Sequence, residues 1–340
     1  MGNRETPTRS FNTVKHSNRK ERLQRLQRGR ITLLSICTVI LILFLLFAVF
    51  IFCSLADELN AKKDTDGNGT ENEDTDNTTS PQSVVYIQST QKNTKVHEGE
   101  LIVVNADHVY VFPTTPSGLI NIYESRTKVN GTNPYQISFT TYQLQKSAFD
   151  AFESMLLKYY DISEDNAITV TSSYRSYADQ ESLGSSIAAG YSDHHTGFSV
   201  ALQKTGIANG NREKLEADHW IYQNCYKYGY IVRYPDTKTA ETGVSDYTYC
   251  FRYIGIPHAT YVTEKGICLE EYVELLKNNY SGSEHLLISG ADGNSYEVYY
   301  VAAGNGDLTT LNVPSNYAYT ISGDNIGGFI VTVNLNAPIA

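Results

Sequence analysis

The longest apolar run in the chain covers residues 31–55, "ITLLSICTVILILFLLFAVFIFCSL", and holds no charged residue. As a helix, this run of 25 residues would be about 37 Å long at ~1.5 Å per residue, which exceeds the ~30 Å hydrocarbon core of a bilayer. It is longer than the apolar part of a secretory signal peptide. The pattern therefore predicts an uncleaved transmembrane helix at residues 31–55.

The segments on either side of this run are polar and differ in charge. Residues 1–30 hold nine Lys and Arg against two Glu, a charge of +7, so with a net charge of −10 the rest of the chain carries −17. Because Lys and Arg stay on the cytoplasmic side, we expect a basic cytoplasmic tail at 1–30 and an extracytoplasmic chain beyond residue 57, held at the cell membrane by a single helix. Residues 56–83 are acidic with almost no large apolar side chains, which predicts a disordered stalk. The acidic body argues against nucleic acid as a partner, although the basic tail considered alone leaves that interpretation open.

Residues 84–280 mix helical and strand spacing of apolar positions, which is typical of an α+β domain. Helices are predicted at 213–228, ended by Gly229, and at 268–279. Residues 100–113 predict a strand that runs into a loop closed by Pro113, and further strands are predicted at 167–175, 197–202 and 230–235. A further amphipathic helix is predicted within 142–160, because five apolar residues there fall on one helical face: Leu144, Ala148, Phe152, Met155 and Tyr159.

The last part of the chain, residues 284–340, has a different pattern. The segments "HLLISGADGNSYEVYYVAA" and "YAYTISGDNIGGFIVTVNL" each consist of two alternating runs around a turn rich in Gly, Asn and Asp. Such a pattern is typical of β-hairpins. We therefore predict a small all-β module at 284–340, with no cluster of chemically reactive residues.

Four segments in the predicted α+β domain resemble the motifs of one known family. They are "SSYRSYADQ" (172–180), "SDHHTGFSVA" (192–201), "HWIYQNCYKYGYIVRYP" (219–235) and "YTYCFRYIGIPHATYVTEKGICLEEY" (247–272). In this order they resemble the motifs of the VanY-type D-alanyl-D-alanine carboxypeptidases, which are zinc enzymes that trim peptidoglycan stem peptides. The resemblance covers roughly residues 101–277. It implies helices packed on a small antiparallel sheet, and a partner that is the D-Ala terminus of a stem peptide.

The resemblance also shows which catalytic positions have changed. In the family the metal is held by the His of the second motif, the Asp seven residues later and the His of the fourth motif, and a Glu before that last His is the general base. Here the corresponding residues are His194, Ala201, Cys250 and Tyr247. An open catalytic zinc site needs three protein ligands, and a methyl group cannot be one. Because a tyrosine with a pKa near ~10 is also a poor base, we expect no bound zinc, with zinc as the cofactor only if the chain is active.

Other histidines could in principle complete a metal site. His195 and Asp193 flank His194, and in an extended segment their side chains should point away from it. A non-standard site would therefore need a more distant third ligand, for which His219 and His258 are the candidates. This alternative is an active metallo-carboxypeptidase.

The residues at the family's substrate-binding positions are retained in these motifs. Arg175 corresponds to the residue that binds the terminal carboxylate of the peptide in the family, a role that suits the bidentate geometry of a guanidinium. The neighbouring polar positions of the cleft correspond to Ser173, Tyr174, Gln180 and Ser192. We therefore predict a membrane-anchored, catalytically degenerate carboxypeptidase-like protein that binds stem-peptide termini. A third possibility is a structural or interaction ectodomain in which the cleft is vestigial.

Four further residues of the motifs are expected to be structural. Arg233 and Arg252 should form buried ion pairs. Cys225 and Cys268 should be small buried side chains, because the cysteines of the exported part are odd in number and lack C-x-x-C spacing.

Overall fold

The computed structural model of the chain describes residues 83–205 and 211–339. The predicted basic tail, the predicted transmembrane helix and all but the last residue of the predicted stalk lie outside these ranges. Within them, no helix has the length and apolar character needed to cross a bilayer. Residues 81–340 form one compact unit.

The secondary structure of the described ranges is mixed. The strands are β1 (Tyr86–Lys92), β2 (Leu119–Asn121), β3 (Gln136–Ile137), β4 (Gln143–Gln145), β5 (Ile168–Ser172), β6 (Ser199–Thr205), β7 (Arg212–Glu213), β8 (Tyr230–Val232), β9 (Cys250–Tyr253), β10 (Leu286–Ser289), β11 (Ser295–Ala302), β12 (Leu308–Pro314), β13 (Tyr317–Gly323) and β14 (Gly328–Pro338). The α-helices are α1 (Ile122–Ser125), α2 (Lys146–Ser163), α3 (Tyr177–Ser182), α4 (Trp220–Asn224), α5 (Thr239–Thr242), α6 (Ile256–Lys265) and α7 (Leu269–Asn279). Short 3₁₀ turns occupy Asn93–His97, Asp193–Thr196, Cys225–Tyr228 and Asp236–Lys238.

The sheet that carries the four family-like motifs has the strand order β3-β5-β6-β9-β8, with β7 pairing to β6 at one end. Its neighbouring strands are antiparallel except for the short parallel pair β3–β5. In the β6–β9 pair, Ala201 lies directly opposite Cys250. The α+β class with an antiparallel central sheet is thus confirmed.

Helix α2 packs its apolar face on this sheet, as the spacing predicts. All five apolar positions of the predicted face are buried. The helix begins later than predicted, however, because residues 143–145 pair with β2 as strand β4. Leu144 therefore reaches the core from a strand rather than from the helix.

The helix predicted at 213–228 is shorter than expected. Arg212 and Glu213 form β7, and the helical segment begins only after His219, whose Nδ1 accepts a hydrogen bond from the backbone N–H of Ile221 (3.2 Å). Its end is as predicted: Gly229 has a φ of +80°, which an L-residue rarely adopts. A Cβ at that position would also lie 2.7 Å from the Tyr253 ring.

The predicted strand at 100–113 is absent. Residues 101–104 are buried, but their carbonyl groups accept hydrogen bonds from side chains instead of from a neighbouring strand. Arg252 donates to the carbonyls of residues 100 and 102, Arg233 to that of 104, and Asn325 to that of 103. The apolar alternation predicted burial correctly, but these side-chain donors replace the ladder that defines a strand.

The C-terminal strands form the two predicted hairpins within a sheet of order β10-β11-β14-β13. A further pair was not predicted: β1 (86–92) runs antiparallel to β12 (308–314). The structure therefore differs from a simple division between residues 84–280 and 284–340, because a segment that precedes the α+β core supplies a strand to the C-terminal part.

Candidate functional site

The site begins at the tight turn between α3 and β6. Residues 193–196 form a 3₁₀ turn that ends at Gly197, whose φ of +74° is left-handed. All four residues of the turn are buried. The backbone N–H of Arg175 donates to the carbonyl of His194 (3.2 Å), which joins the first resembling motif to the second.

A buried network of ions holds this turn in place. Asp193 Oδ1 accepts from Arg252 Nη1 (2.6 Å) and from Arg233 Nε (3.1 Å), and its Oδ2 accepts from Ser199. Arg233 also makes a two-pronged pair with Glu270, with distances of 2.7 and 3.0 Å. Burial alone would raise the pKa of Asp193, but the two guanidinium groups and the Ser199 hydroxyl hold it below its ordinary range. The predicted buried pairs of both arginines are confirmed.

At the expected metal position, the His194 side chain contacts the side chains of both Tyr247 and Cys250. His194 Nε2 shares a hydrogen bond with the Tyr247 hydroxyl (2.7 Å) and lies 3.9 Å from Cys250 Sγ. Burial, together with the positive charge of Arg175, lowers the pKa of His194 to about 3, so the ring is neutral at neutral pH. Burial and the Asp193 carboxylate raise the pKa of the Cys250 thiol to about 12. Both side chains are therefore uncharged.

These residues do not fit a catalytic zinc ion. Ala201 lies opposite Cys250 and offers no donor atom. The Tyr247 hydroxyl is hydrogen-bonded to His194 Nε2, the ring nitrogen that also lies closest to Cys250 Sγ, so this nitrogen is already engaged. Among the residues that the structure describes, no group of three or more His, Cys, Asp and Glu side chains could hold a metal ion.

Tyr247 is fixed by other aromatic rings. It stacks on Tyr234 (centroids 5.6 Å apart) and meets Tyr249 edge-to-face (4.8 Å). Burial and the neighbouring Cys250 raise the pKa of the Tyr247 hydroxyl above its ordinary value. At the position of the family's general base the chain therefore has a neutral hydroxyl that is bonded to His194.

The remaining candidate ligands are engaged elsewhere. His195 accepts from the backbone N–H of Gly190 (2.9 Å) and bonds the carbonyl of Arg175 (2.7 Å). His219 contacts the Tyr159 hydroxyl, and both ring nitrogens of His258 are bonded, to Tyr272 and Thr332. The extended segment expected around His194 is wrong, because residues 193–196 form a 3₁₀ turn. Asp193 is nevertheless engaged by Arg233, Arg252 and Ser199. Neither His219 nor His258 supplies a third ligand.

Arg175 is held next to this group by neutral partners. Its Nη1 donates to Gln180 Oε1 (2.8 Å) and its Nη2 donates to Ser172 Oγ (2.6 Å). The side chain is half-buried, and within residues 83–205 and 211–339 it forms no ion pair. The arrangement leaves a positive charge without a counterion beside His194.

The other predicted substrate residues are placed around Arg175 with different roles. Gln180 is buried and orients the guanidinium. Ser173 Oγ accepts from the backbone N–H of Gln143 (3.0 Å), and buried Ser192 accepts through its carbonyl from the N–H of His195, so both support the backbone. Tyr174 lines a cavity of about 600 Å³ together with His195.

Sequence reasoning missed two features of the site. Ser172 orients Arg175, although it is not among the predicted site residues. Asp193 is the shared anion of the two buried arginines, and the presence of two arginines in motifs with buried aromatic residues was a signal that such an anion was needed.

Comparison with known proteins agrees with this architecture. The VanY family, described as D-alanyl-D-alanine carboxypeptidase, matches residues 141–256. A D-alanyl-D-alanine carboxypeptidase of Enterococcus faecium is 31% identical over 256 residues, which cover 72% of this chain and 80% of that protein. A second one, from Enterococcus faecalis, is 42% identical over 89 residues, or 26% of this chain and 32% of that protein.

One solved structure is similar over most of the described fold. It is the vancomycin resistance D,D-dipeptidase VanXYg in complex with a D-Ala-D-Ala phosphinate analog, with 25% identity and a TM-score of 0.62. The similarity covers 74% of this chain and 99% of that one. Together with the extended match to the Enterococcus faecium enzyme, these findings show that the chain belongs to the VanY-type D-alanyl-D-alanine carboxypeptidase family.

Proposed function

We propose that this protein is a catalytically inactive member of the family that binds the free C-terminus of a peptidoglycan stem peptide. The observation that carries the proposal is the half-buried Arg175, held by Ser172 and Gln180 beside a position that has lost its metal donors. The chain thus keeps a group that binds substrate, while the groups that would cleave it have been replaced.

The geometry of Arg175 suits a carboxylate ligand. A guanidinium carries five N–H donors. The contacts to Gln180 and Ser172 and the interaction with the neutral Tyr247 hydroxyl engage only some of them and leave others for a ligand. Its two partners are neutral, so the positive charge is available for an anion. Charge-assisted, two-pronged pairing of this kind is among the stronger hydrogen-bonded interactions in proteins.

The proposed loss of activity has two supports. Ala201 and the bonded Tyr247 hydroxyl remove metal coordination, and the same tyrosine replaces the general base. Loss of a general base by itself typically lowers a rate by about 10²–10⁴. The solved relative with a bound D-Ala-D-Ala phosphinate analog supports the ligand class.

The binding half of the proposal is tested by calorimetric titration of the purified full-length chain with a pentapeptide that ends in D-Ala-D-Ala. Arg175→Ala should weaken binding by about 10- to 150-fold, the value of a charge-assisted hydrogen bond of about 1.5–3 kcal/mol. Amidation of the peptide C-terminus should cost the wild type about as much and should cost Arg175→Ala nothing further. Arg175→Lys keeps the positive charge but cannot form the two-pronged pair, and it is the matched control. Its affinity for the peptide should lie between those of the wild type and Arg175→Ala.

Two outcomes would contradict this. If the pentapeptide does not bind at millimolar concentration, the protein is not a receptor for this terminus. If amidation weakens wild type and Arg175→Ala equally, a group other than Arg175 binds the carboxylate.

We also propose that residues 31–55 anchor the protein in the cell membrane with the domain outside. The support is the uncharged apolar run with a basic segment before it. A chain that lacks residues 1–55 should be soluble and folded, because residues 81–340 have their own core. Aggregation of this shortened chain, while the full chain is monodisperse in detergent, would contradict the proposal.

A further inference from the structure

A second cavity, of about 340 Å³, lies where the α+β core meets the C-terminal strands. From the core it is lined by the end of β9 and the start of α6, and from the C-terminal part by β11, β13 and β14. The residues that give it chemical character are Glu100, Tyr253, Tyr296, Tyr319, Thr320 and Asn334. None of its lining residues is Lys or Arg.

Glu100 is the charged group of this cavity, and its carboxylate is only partly satisfied. Oε1 accepts from the Ser147 hydroxyl (2.7 Å). Oε2 lies near Gly255, 3.7 Å from where a Cβ on that glycine would be, but no side chain of the described residues forms an ion pair with Glu100. Arg252, whose positive charge acts on this carboxylate, is already paired with Asp193 and donates to the backbone carbonyl of Glu100.

The surroundings of Glu100 disfavour its charged form. Burial raises the pKa of Glu100, and the Ser147 hydroxyl and Arg252 offset this only in part. Charges that are withdrawn from water are normally paired, so a half-buried carboxylate without an ion-pair partner among the described residues is a candidate binding group.

The rest of the lining indicates which ligand would supply the missing charge. Tyrosine rings attract cations through their faces, most strongly where water is excluded. Tyr319 is 37% exposed, so its ring is accessible at the rim of the cavity. Asn334 and Thr320 add oxygen acceptors, and none of the lining side chains would repel a positive charge.

We infer that this cavity binds an organic primary ammonium group on a flexible chain, of the kind that a lysine side chain carries, between the Glu100 carboxylate and the tyrosine rings. The site is distinct from the Arg175 cleft. Cys250 belongs to the first site and Tyr253 to the second, and residues three apart along β9 point to opposite faces of the sheet. Binding at this cavity does not depend on the proposed function.

The experiment uses the full-length chain with Nα-acetyl-L-lysine amide as the probe and its Nε-acetylated form, which lacks the charge, as the ligand control. Binding is measured by calorimetry or by ligand-observed NMR, and stability by thermal unfolding. We expect the charged probe to bind and the acetylated one to bind at least about tenfold more weakly, since charge-assisted contacts are roughly twice as strong as neutral ones. Glu100→Gln should weaken the charged probe to the level of the acetylated one. It should leave Tm unchanged or raise it, because the amide keeps the acceptor for Ser147.

Two further variants keep the test informative. Glu98→Gln removes an exposed carboxylate that pairs with Lys95 and should leave binding unchanged. Tyr319→Ala should weaken binding without altering Glu100. The inference would be overturned if both probes bind equally or if neither binds at millimolar concentration. It would also be overturned if Glu100→Gln binds the charged probe like wild type, or if Glu100→Gln lowers Tm, because the carboxylate would then stabilise the fold instead of serving a ligand.

Discussion

Replacement of Asp193 by asparagine tests whether the buried ion network holds the turn that carries His194. The network contains two guanidinium groups, Arg233 and Arg252, and two carboxylates, Asp193 and Glu270, so its formal charges balance. The asparagine side chain has nearly the same shape as the aspartate but would leave one positive charge uncompensated. Both arginines and Asp193 are 0% exposed, so water cannot compensate it.

The expected loss is large. Removal of one partner from a buried ion pair costs about 3–5 kcal/mol, a large share of the ~5–15 kcal/mol that stabilises a typical domain. At roughly 2–4 °C per kcal/mol for a domain of this size, Tm should fall by about 10 °C. Folding lowers the pKa of Asp193. The stability that its ionised carboxylate contributes is therefore fully present above the unfolded pKa of about 4, and it is lost as the pH falls through the folded pKa. The difference between wild type and variant should therefore be largest at neutral pH and narrow below about pH 4.

Urea unfolding followed by the fluorescence of Trp220, the single tryptophan of the chain, measures this loss. Asp161→Asn is the matched control, because Asp161 pairs with Lys158 on the surface of α2, with 68% and 51% of the two side chains exposed. An exposed pair contributes about 0–1 kcal/mol. If Asp193→Asn costs no more than Asp161→Asn, the network does not stabilise the fold as described.

Three further predictions concern the backbone and the altered site. Gly229→Ala should destabilise the domain by more than about 1 kcal/mol in thermal unfolding, whereas Gly184→Ala, which is also left-handed but meets nothing within 4 Å, should cost less; equal losses would contradict the packing against Tyr253. Tyr247→Ala should make the buried Cys250 reactive toward a maleimide, and an unreactive thiol would show that Tyr247 does not cover it. The triple variant Ala201→Asp, Cys250→His and Tyr247→Glu should bind one zinc per chain, and failure would mean that this backbone no longer has the family's geometry.

Much of the core could be predicted because periodic burial is a local signal. The apolar face of α2, the terminating Gly229 and the two C-terminal hairpins follow from spacing and turn residues. The residues of segment 100–113 alone could not show that this segment forms no strand. Its hydrogen bonds come from Arg233, Arg252 and Asn325, which are more than 100 residues away in the chain.

In the candidate site, too, some features could be predicted from the sequence and others depend on long-range contacts. The positions of His194, Ala201 and Cys250 follow from the motif order, and the register between β6 and β9 brings the last two together. The hydrogen bond between Tyr247 and His194 and the neutral partners of Arg175 depend on tertiary contacts between motifs, which spacing does not encode. The pairing of β1 with β12 is similarly long-range.

The central claim is that the cleft keeps its binding group and has lost its metal chemistry. The most direct test is to determine the zinc content of the unmodified, purified full-length chain together with D-Ala release from a pentapeptide that ends in D-Ala-D-Ala, with added zinc. We predict substoichiometric zinc and no D-Ala release above a protein-free blank. One zinc per chain with release of D-Ala would contradict the account, because the residues around His194 would then support the chemistry that their geometry excludes.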